Sequence, residues 1–187
     1  MWQNAEEFLA KDKYIGPLIK KWGHCTIKPL KKSQYFRDLV DAICSQQLSG
    51  KAAKTIFGRV KTFLVKITPE NILSAETEDL RKCGLSYAKI KYIKDLSVQI
   101  NNSQLSIYNF DTKTDEEIIN ELTKVKGIGR WTAEMFLMFS LARPDIFPVD
   151  DLGISKAMKK LKLKKSDRWK PYRTVASWYL WRSLENR

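Results

Sequence analysis

Residues 122–133, Leu-Thr-Lys-Val-Lys-Gly-Ile-Gly-Arg-Trp-Thr-Ala, constrain this chain more than any other stretch. An apolar helix end runs into two glycines one residue apart, and a second helix pattern starts at Arg130. Gly127 and Gly129 can take backbone angles that other residues resist, and neither carries a side chain. A backbone turned in this way presents N–H groups at a helix N-terminus, where an anion is favoured. Lys124, Lys126 and Arg130 cluster around the turn. Cations beside backbone amides suit phosphates without reading a base sequence. A tight corner in a helical bundle, decorated by solvated lysines, explains the same twelve residues, and they alone do not choose.

The rest of the chain is also helical in pattern, and the expected class is all-α. Segment 34–47 puts Tyr35, Phe36, Leu39, Val40, Ile43 and Cys44 on one face, and 51–64 repeats this with Ala52, Ala53, Ile56, Phe57, Val60 and Phe63. Thr68-Pro69 is an N-cap with proline at the first helical position. Thr77 starts a short helix that Gly84 ends. Ser86 caps a helix carrying Ile90, Ile93 and Leu96. Thr114 to Glu117 is a capping box. An apolar helix over 130–141 is expected to break at Arg143-Pro144-Asp145. A basic stretch, 162–170, precedes the last helix. This organisation fits two helical layers with a groove between them.

Composition narrows the partner. The formal net charge is +13 over 187 residues. Such an excess favours a polyanion, with DNA, RNA and an anionic membrane all qualifying. No segment reaches the roughly 18 apolar residues of a membrane span, and the N-terminus lacks the basic start of a secretory signal. The cysteines are three, scattered at Cys25, Cys44 and Cys83, and read as reduced thiols of an intracellular protein. With no Cys-x-x-Cys spacing and a single histidine, His24, a structural zinc site, an iron–sulfur cluster and a histidine-based triad are all disfavoured.

Three further groups can carry chemistry. Asp150 and Asp151 precede a helix, where one of them is expected to serve as N-cap and the other to be available to a pocket. Trp131, Trp169, Tyr172, Trp178, Tyr179 and Trp181 are more rings than one core stripe needs. The run from Trp169 to Trp181 packs four of them into one helix, and a spare ring lining a cleft can stack on an extruded base. Ser45-Gln46-Gln47-Leu48-Ser49 ends an apolar face with two adjacent amides. These either bond a DNA strand or cap the next helix.

Together, the hairpin and Pro148-Val149-Asp150-Asp151 resemble the helix-hairpin-helix-Gly/Pro-Asp superfamily of DNA base-excision glycosylases. Ser-Gln-Gln-Leu-Ser at 45–49, Gly-Leu-Ser-Tyr-Ala-Lys at 84–89, Gly-Arg-Trp-Thr-Ala in the hairpin and the stretch 169–181 resemble its alkylbase branch, the DNA-3-methyladenine glycosylase II type. The resemblance runs from about residue 30 onward. It implies a central helical subdomain, 30–141, ending in the hairpin, a second made of 1–29 and 142–187, and a cleft between them. It also implies hydrolysis of the N-glycosidic bond of alkylated purines, such as 3-methyladenine or 7-methylguanine, in double-stranded DNA by base flipping. Another lesion (hypoxanthine, a deaminated or an oxidised base) and a non-enzymatic DNA-binding module are the alternatives.

By the same resemblance, Asp151 of the Asp-Leu-Gly-Ile frame is the catalytic carboxylate and Asp150 the helix cap or an outer support. Trp131 stands where bifunctional lyases have lysine, so no strand cleavage is implied. Trp131, Trp181 and Met135 line the base pocket. Gly127, Gly129, Lys124, Lys126, Arg130 and Thr132, with Gln47, Leu48 and Ser49, contact DNA, either Gln47 or Leu48 filling the gap left by the flipped base. No cofactor and no iron–sulfur cluster is implied for catalysis. A structural monovalent or divalent cation is implied on the carbonyls of Thr123, Val125 and Ile128. The expected species is a monomer acting in cytoplasm and nucleoid, or in a nucleus, with no membrane partner.

Overall fold

The computed structural model describes residues 1–185, and among these there are helices and turns but no strand. The chain forms two compact units, Leu30–Ala133 and Met1–Pro29 with the residues from Glu134 onward. Helices are numbered in chain order. The terminal unit holds α1 (Gln3–Leu9), α2 (Ile15–Trp22), α10 (Leu152–Lys160) and α11 (Arg173–Arg182). The central unit holds α3 (Tyr35–Ser45), α4 (Gly50–Leu64), α5 (Pro69–Ser74), α6 (Thr77–Lys82), α7 (Tyr87–Asn101) and α8 (Asp115–Leu122). The division between units falls within α9 (Arg130–Phe139).

Helix starts in the central unit follow local chemistry. Thr68 Oγ1 accepts from Asn71 N–H at 3.2 Å, Ser86 Oγ from Lys89 N–H at 3.3 Å, and Ser49 Oγ from Ala52 N–H at 3.4 Å. Each satisfies a donor that the first helical turn leaves open. The capping box forms as expected: Thr114 Oγ1 accepts from Glu117 N–H at 3.3 Å, and Glu117 Oε2 accepts from Thr114 N–H at 2.7 Å. α3 buries Tyr35, Phe36, Leu39, Val40, Ile43 and Cys44, the stripe its spacing demands, and packs on α4 and α7. Leu96, Ile107, Phe110 and Leu122 are fully buried in the same unit.

In the terminal unit α11 is the buried axis. Seven consecutive residues, Thr174 to Leu180, are buried because α1, α2 and α10 all pack on it. A helix covered on every side shows no polar face. Trp169 is not part of it. The helix holds three rings and not the expected four: Trp169 ends a short 3-10 turn, Pro171 follows, and α11 begins at Arg173, just after Tyr172, carrying Trp178, Tyr179 and Trp181. Proline's missing N–H and fixed φ keep 169–172 out of the helix interior. Burial of Glu6 would push its carboxyl up, but bonds from His24, the Cys25 N–H and the Tyr179 hydroxyl outweigh this and hold it below the ordinary carboxylate range. The three cysteines are free and buried, and burial pushes the Cys25 thiol up to about 11 and Cys44 up to about 12.

Candidate active site and nucleic-acid interface

The hairpin between α8 and α9 is built around Gly127, whose φ is +86°. A Cβ there would lie 2.2 Å from Cδ2 of Tyr92 on α7, so any other residue would force that ring to move. Lys126 N–H donates to Asp95 Oδ2 at 3.0 Å, and Gln99 Nε2 donates to the same oxygen at 2.9 Å. Gly127 O accepts from Gln46 Nε2 at 2.7 Å, and Ile128 N–H donates to Val125 O at 3.1 Å. Gly129 differs from the sequence expectation. It is not in the left-handed region, and a Cβ there would meet nothing within 4 Å. Its value is therefore an open face in front of the amides rather than an unusual angle.

The cations around the turn are not equivalent. Lys124 and Lys126 are exposed. Arg130 makes a two-pronged bond to Glu116 on α8, Nη2–Oε1 at 2.5 Å and Nη1–Oε2 at 3.1 Å, and this guanidinium holds the Glu116 carboxyl below the usual range. The pair is exposed and so contributes about 0–1 kcal/mol at most. Thr132, expected among the DNA contacts, is only 6 % exposed. Its position in the first turn of α9 turns its side chain into the core, which removes it as a side-chain contact.

The turn after α3 lies in the same unit. Gln47 is exposed with φ +56°, a left-handed conformation that costs a non-glycine residue about 1–2 kcal/mol. Such strain persists only where neighbours over-determine it. Lys89 Nζ donates to Cys44 O and to Gln46 O, each at 2.8 Å, closing the C-terminal end of α3. Leu48 is half-buried, and exposed Ser49 is committed to capping α4.

Asp151 belongs to the terminal unit, at the start of α10. Its Oδ1 accepts from Ile154 N–H at 2.8 Å and from Trp181 Nε1 at 2.8 Å. Asp151, not Asp150, is thus the helix cap. Asp150 is exposed one residue outside the helix, so the expected split of labour between the two fails: one carboxylate does the capping and is also the one held by an aromatic. The helix N-terminus favours the ionised form of Asp151. Gly153 makes the arrangement possible, because a Cβ there would come within 2.7 Å of Trp181 Cδ1 and 3.0 Å of Asp151 Oδ1.

The segment leading to Asp151 is clamped to the start of α11. Arg173 Nε and Nη2 donate to Asp145 Oδ1 and Oδ2 at 2.7 and 2.8 Å, Thr174 N–H donates to Pro144 O at 3.0 Å, and Ile146 N–H to Thr174 Oγ1 at 2.9 Å.

Of the expected base-pocket residues, Trp131 is 46 % exposed and Met135 half-buried, four apart on α9 and hence on the same side of it. Phe139, one further step of four along, was not anticipated. It is exposed, and its ring centroid lies 5.8 Å from that of Trp181. Sequence reasoning gave Gln46 and Lys89 no tie to the hairpin or to the end of α3, and it did not single out Tyr92 or Asp95. Lys89, Tyr92 and Asp95 recur every third residue on α7, a spacing that gives one helix stripe and that could have grouped them. Among the described residues no three His, Cys, Asp or Glu side chains are placed to hold a metal ion, and no helix is long and apolar enough to cross a membrane.

The chain is 37% identical to DNA-3-methyladenine glycosylase 1 of Schizosaccharomyces pombe, over 83% of this chain and 75% of the relative. It is 33% identical to the alkylbase DNA glycosidase-like protein mag2 of the same yeast, over 96% of this chain and 92% of the relative. The solved structure of S. pombe 3-methyladenine DNA glycosylase (Mag1) in complex with abasic DNA superimposes with a TM-score of 0.83 at 36% identity, covering 97% of this chain and 96% of that one. Residues 40–182, which include the Gln47 turn, the hairpin, Asp151 and Trp181, match the family described as HhH-GPD superfamily base excision DNA repair protein, and the chain belongs to that superfamily.

Proposed function

We propose that this protein is a monofunctional DNA glycosylase that removes alkylated purines from double-stranded DNA. The observation that carries the reading is the Asp151 carboxylate, held by the Ile154 N–H at a helix N-terminus and by the Trp181 indole N–H. That arrangement suits a fixed negative charge beside an aromatic ring.

The open amide face at Gly129, with Lys124 and Lys126, takes the DNA backbone. The damaged nucleotide leaves the stack, at a cost of a few kcal/mol that a weakened pair reduces. Trp131, Met135 and Trp181 are assigned to the extruded base, where a cationic ring gains about 1–2 kcal/mol over an aromatic face. Alkylation at N3 or N7 leaves the base positively charged. When the C1′–N bond breaks, its electron pair neutralises the base, so no proton donor is needed. Positive charge then sits on the sugar, where Asp151 stabilises it. Water adds to C1′ and releases one proton.

At the hairpin, the carbonyls of Thr123, Val125 and Ile128 would be the oxygen donors for a hard cation. Thr123 is the C-cap of α8, where carbonyls point outward, which supports the fit. Such an ion would supply positive charge toward the DNA backbone and take no part in the chemistry. The protein would act wherever the DNA is, in a nucleoid or a nucleus.

Incubating the protein with methylated duplex DNA and measuring freed bases by chromatography tests the activity. Release of 3-methyladenine or 7-methylguanine is expected. Release of hypoxanthine or an oxidised base alone would replace the alkylpurine reading, and release of nothing would leave a binding module.

Two further outcomes follow. α9 carries no lysine, so borohydride is expected to trap no covalent complex with DNA, and a trapped adduct would establish lyase chemistry. Gly153→Ala is expected to slow single-turnover release by about tenfold, because its Cβ displaces the Trp181 edge from Asp151. Its melting temperature is expected to hold within a few degrees, since alanine favours the helix. Parental turnover in that variant would make the Trp181 contact dispensable.

A further inference from the structure

The Gln47 turn and the hairpin are joined by bonds that neither a phosphate grip nor the Asp151 chemistry requires. Gln46 is held at both ends. Its side-chain amide donates to Gly127 O at 2.7 Å, and its own carbonyl accepts from Lys89 Nζ at 2.8 Å. Gly127 O and Ile128 N–H belong to a single peptide plane, and the Ile128 N–H is itself engaged by Val125 O at 3.1 Å. A planar unit held at both its polar atoms cannot rotate. The next residue along is Gly129, with its open face. On the other side, the residue after Gln46 is the exposed, left-handed Gln47.

α7 is the base for both segments. Lys89 holds the turn, while Tyr92 lies against Gly127 and Asp95 accepts the Lys126 N–H, itself braced by Gln99. These four residues, spaced by three, three and four, form one stripe along the helix.

We infer that Gln46 and Lys89 are positioning residues that lock the strand-entering turn to the phosphate-gripping hairpin on α7, so that backbone grip and displacement of a nucleotide act as one body. The consequence for turnover rests on the glycosylase reading. The locking itself is a property of the free protein.

The test therefore has two readouts on Gln46→Ala and on Lys89→Met, which keeps the aliphatic stem. In free protein, amide hydrogen exchange is expected to rise together in 46–49 and 127–131, with the melting temperature within a few degrees of the parent. In single turnover, release of an alkylated base paired with a normal partner is expected to fall about tenfold, while release opposite an abasic site, where little must be displaced, falls less than about threefold. Gln46→Glu is expected to be worse than alanine, since its carboxylate faces the Gly127 carbonyl. Unchanged exchange across the hairpin overturns the inference, as does an equal loss on both substrates. If the parent protein releases no base from either substrate, the glycosylase reading fails, while the exchange result still decides whether the two segments are locked.

Discussion

Asp151→Asn is expected to lower base release by about 1,000-fold, roughly 4 kcal/mol of transition-state stabilisation, with affinity for abasic duplex kept within about twofold. The substitution is a clean one. Asparagine is as good an N-cap as aspartate, so the bond to Ile154 N–H survives. Its side-chain oxygen can also keep the Trp181 indole bond. What is lost is the negative charge opposite the cationic sugar. Asp151→Ala would confuse the result, because removing the cap costs about 1 kcal/mol of helix stability. Asp150→Asn is the control. That side chain is exposed outside the helix, and its loss is expected to change turnover by no more than about twofold. Parental release by the Asp151→Asn protein on methylated DNA would remove the carboxylate from the mechanism. Equal losses at both positions would show that net charge near the DNA, rather than one placed oxygen, matters.

The second large effect is expected at Gly127. Alanine there meets two penalties together: a φ of +86° and a Cβ 2.2 Å from Tyr92 Cδ2. The left-handed angle and the overpacking each cost about 1–3 kcal/mol, so the hairpin either reorganises or destabilises the domain. Affinity for duplex DNA is expected to fall at least about tenfold, with a lowered melting temperature. Adding Tyr92→Ala removes the clash but not the strain, so partial recovery in the double variant separates the two terms. Gly129→Ala gives the contrast. Its Cβ enters open space, so stability is expected to hold, while affinity still falls because the methyl stands where a phosphate would approach. Gly129→Ala with parental affinity, measured at fixed salt, would show that the backbone is gripped elsewhere.

Much of the fold was legible in local pattern. The caps at Thr68, Ser86 and Thr114 were readable because each involves partners three residues apart. The stripe of α3 was readable because burial and helical period coincide. The reading failed where a residue's role depends on a distant partner or on which way a helix face turns. Thr132 was expected at the DNA from the family resemblance, and only packing buries its side chain. The pairing of Arg130 with Glu116, fourteen residues earlier, was likewise not visible in the local pattern. Proline at 171 was visible, yet the aromatic run suggested four rings in the last helix, and Tyr172 lies just outside it. Backbone chemistry prevailed over the pattern of rings.

What the chain's order of residues determined by itself is the helical class, the punctuation of its helices, the glycine hairpin and the presence of a carboxylate at the start of α10. These depend on contacts within one or two turns, which nearby residues encode directly. The tertiary structure alone decided which of two adjacent aspartates is held. Asp150 and Asp151 are chemically identical; Asp151 has a local partner in the Ile154 N–H, and its second hold comes from an indole thirty residues away, admitted by the missing side chain of Gly153. It likewise decided that Gln46 braces the hairpin across eighty-one residues and leaves Gln47 exposed. No local period encodes such pairings, because they exist only after packing has closed the intervening chain and fixed which faces meet.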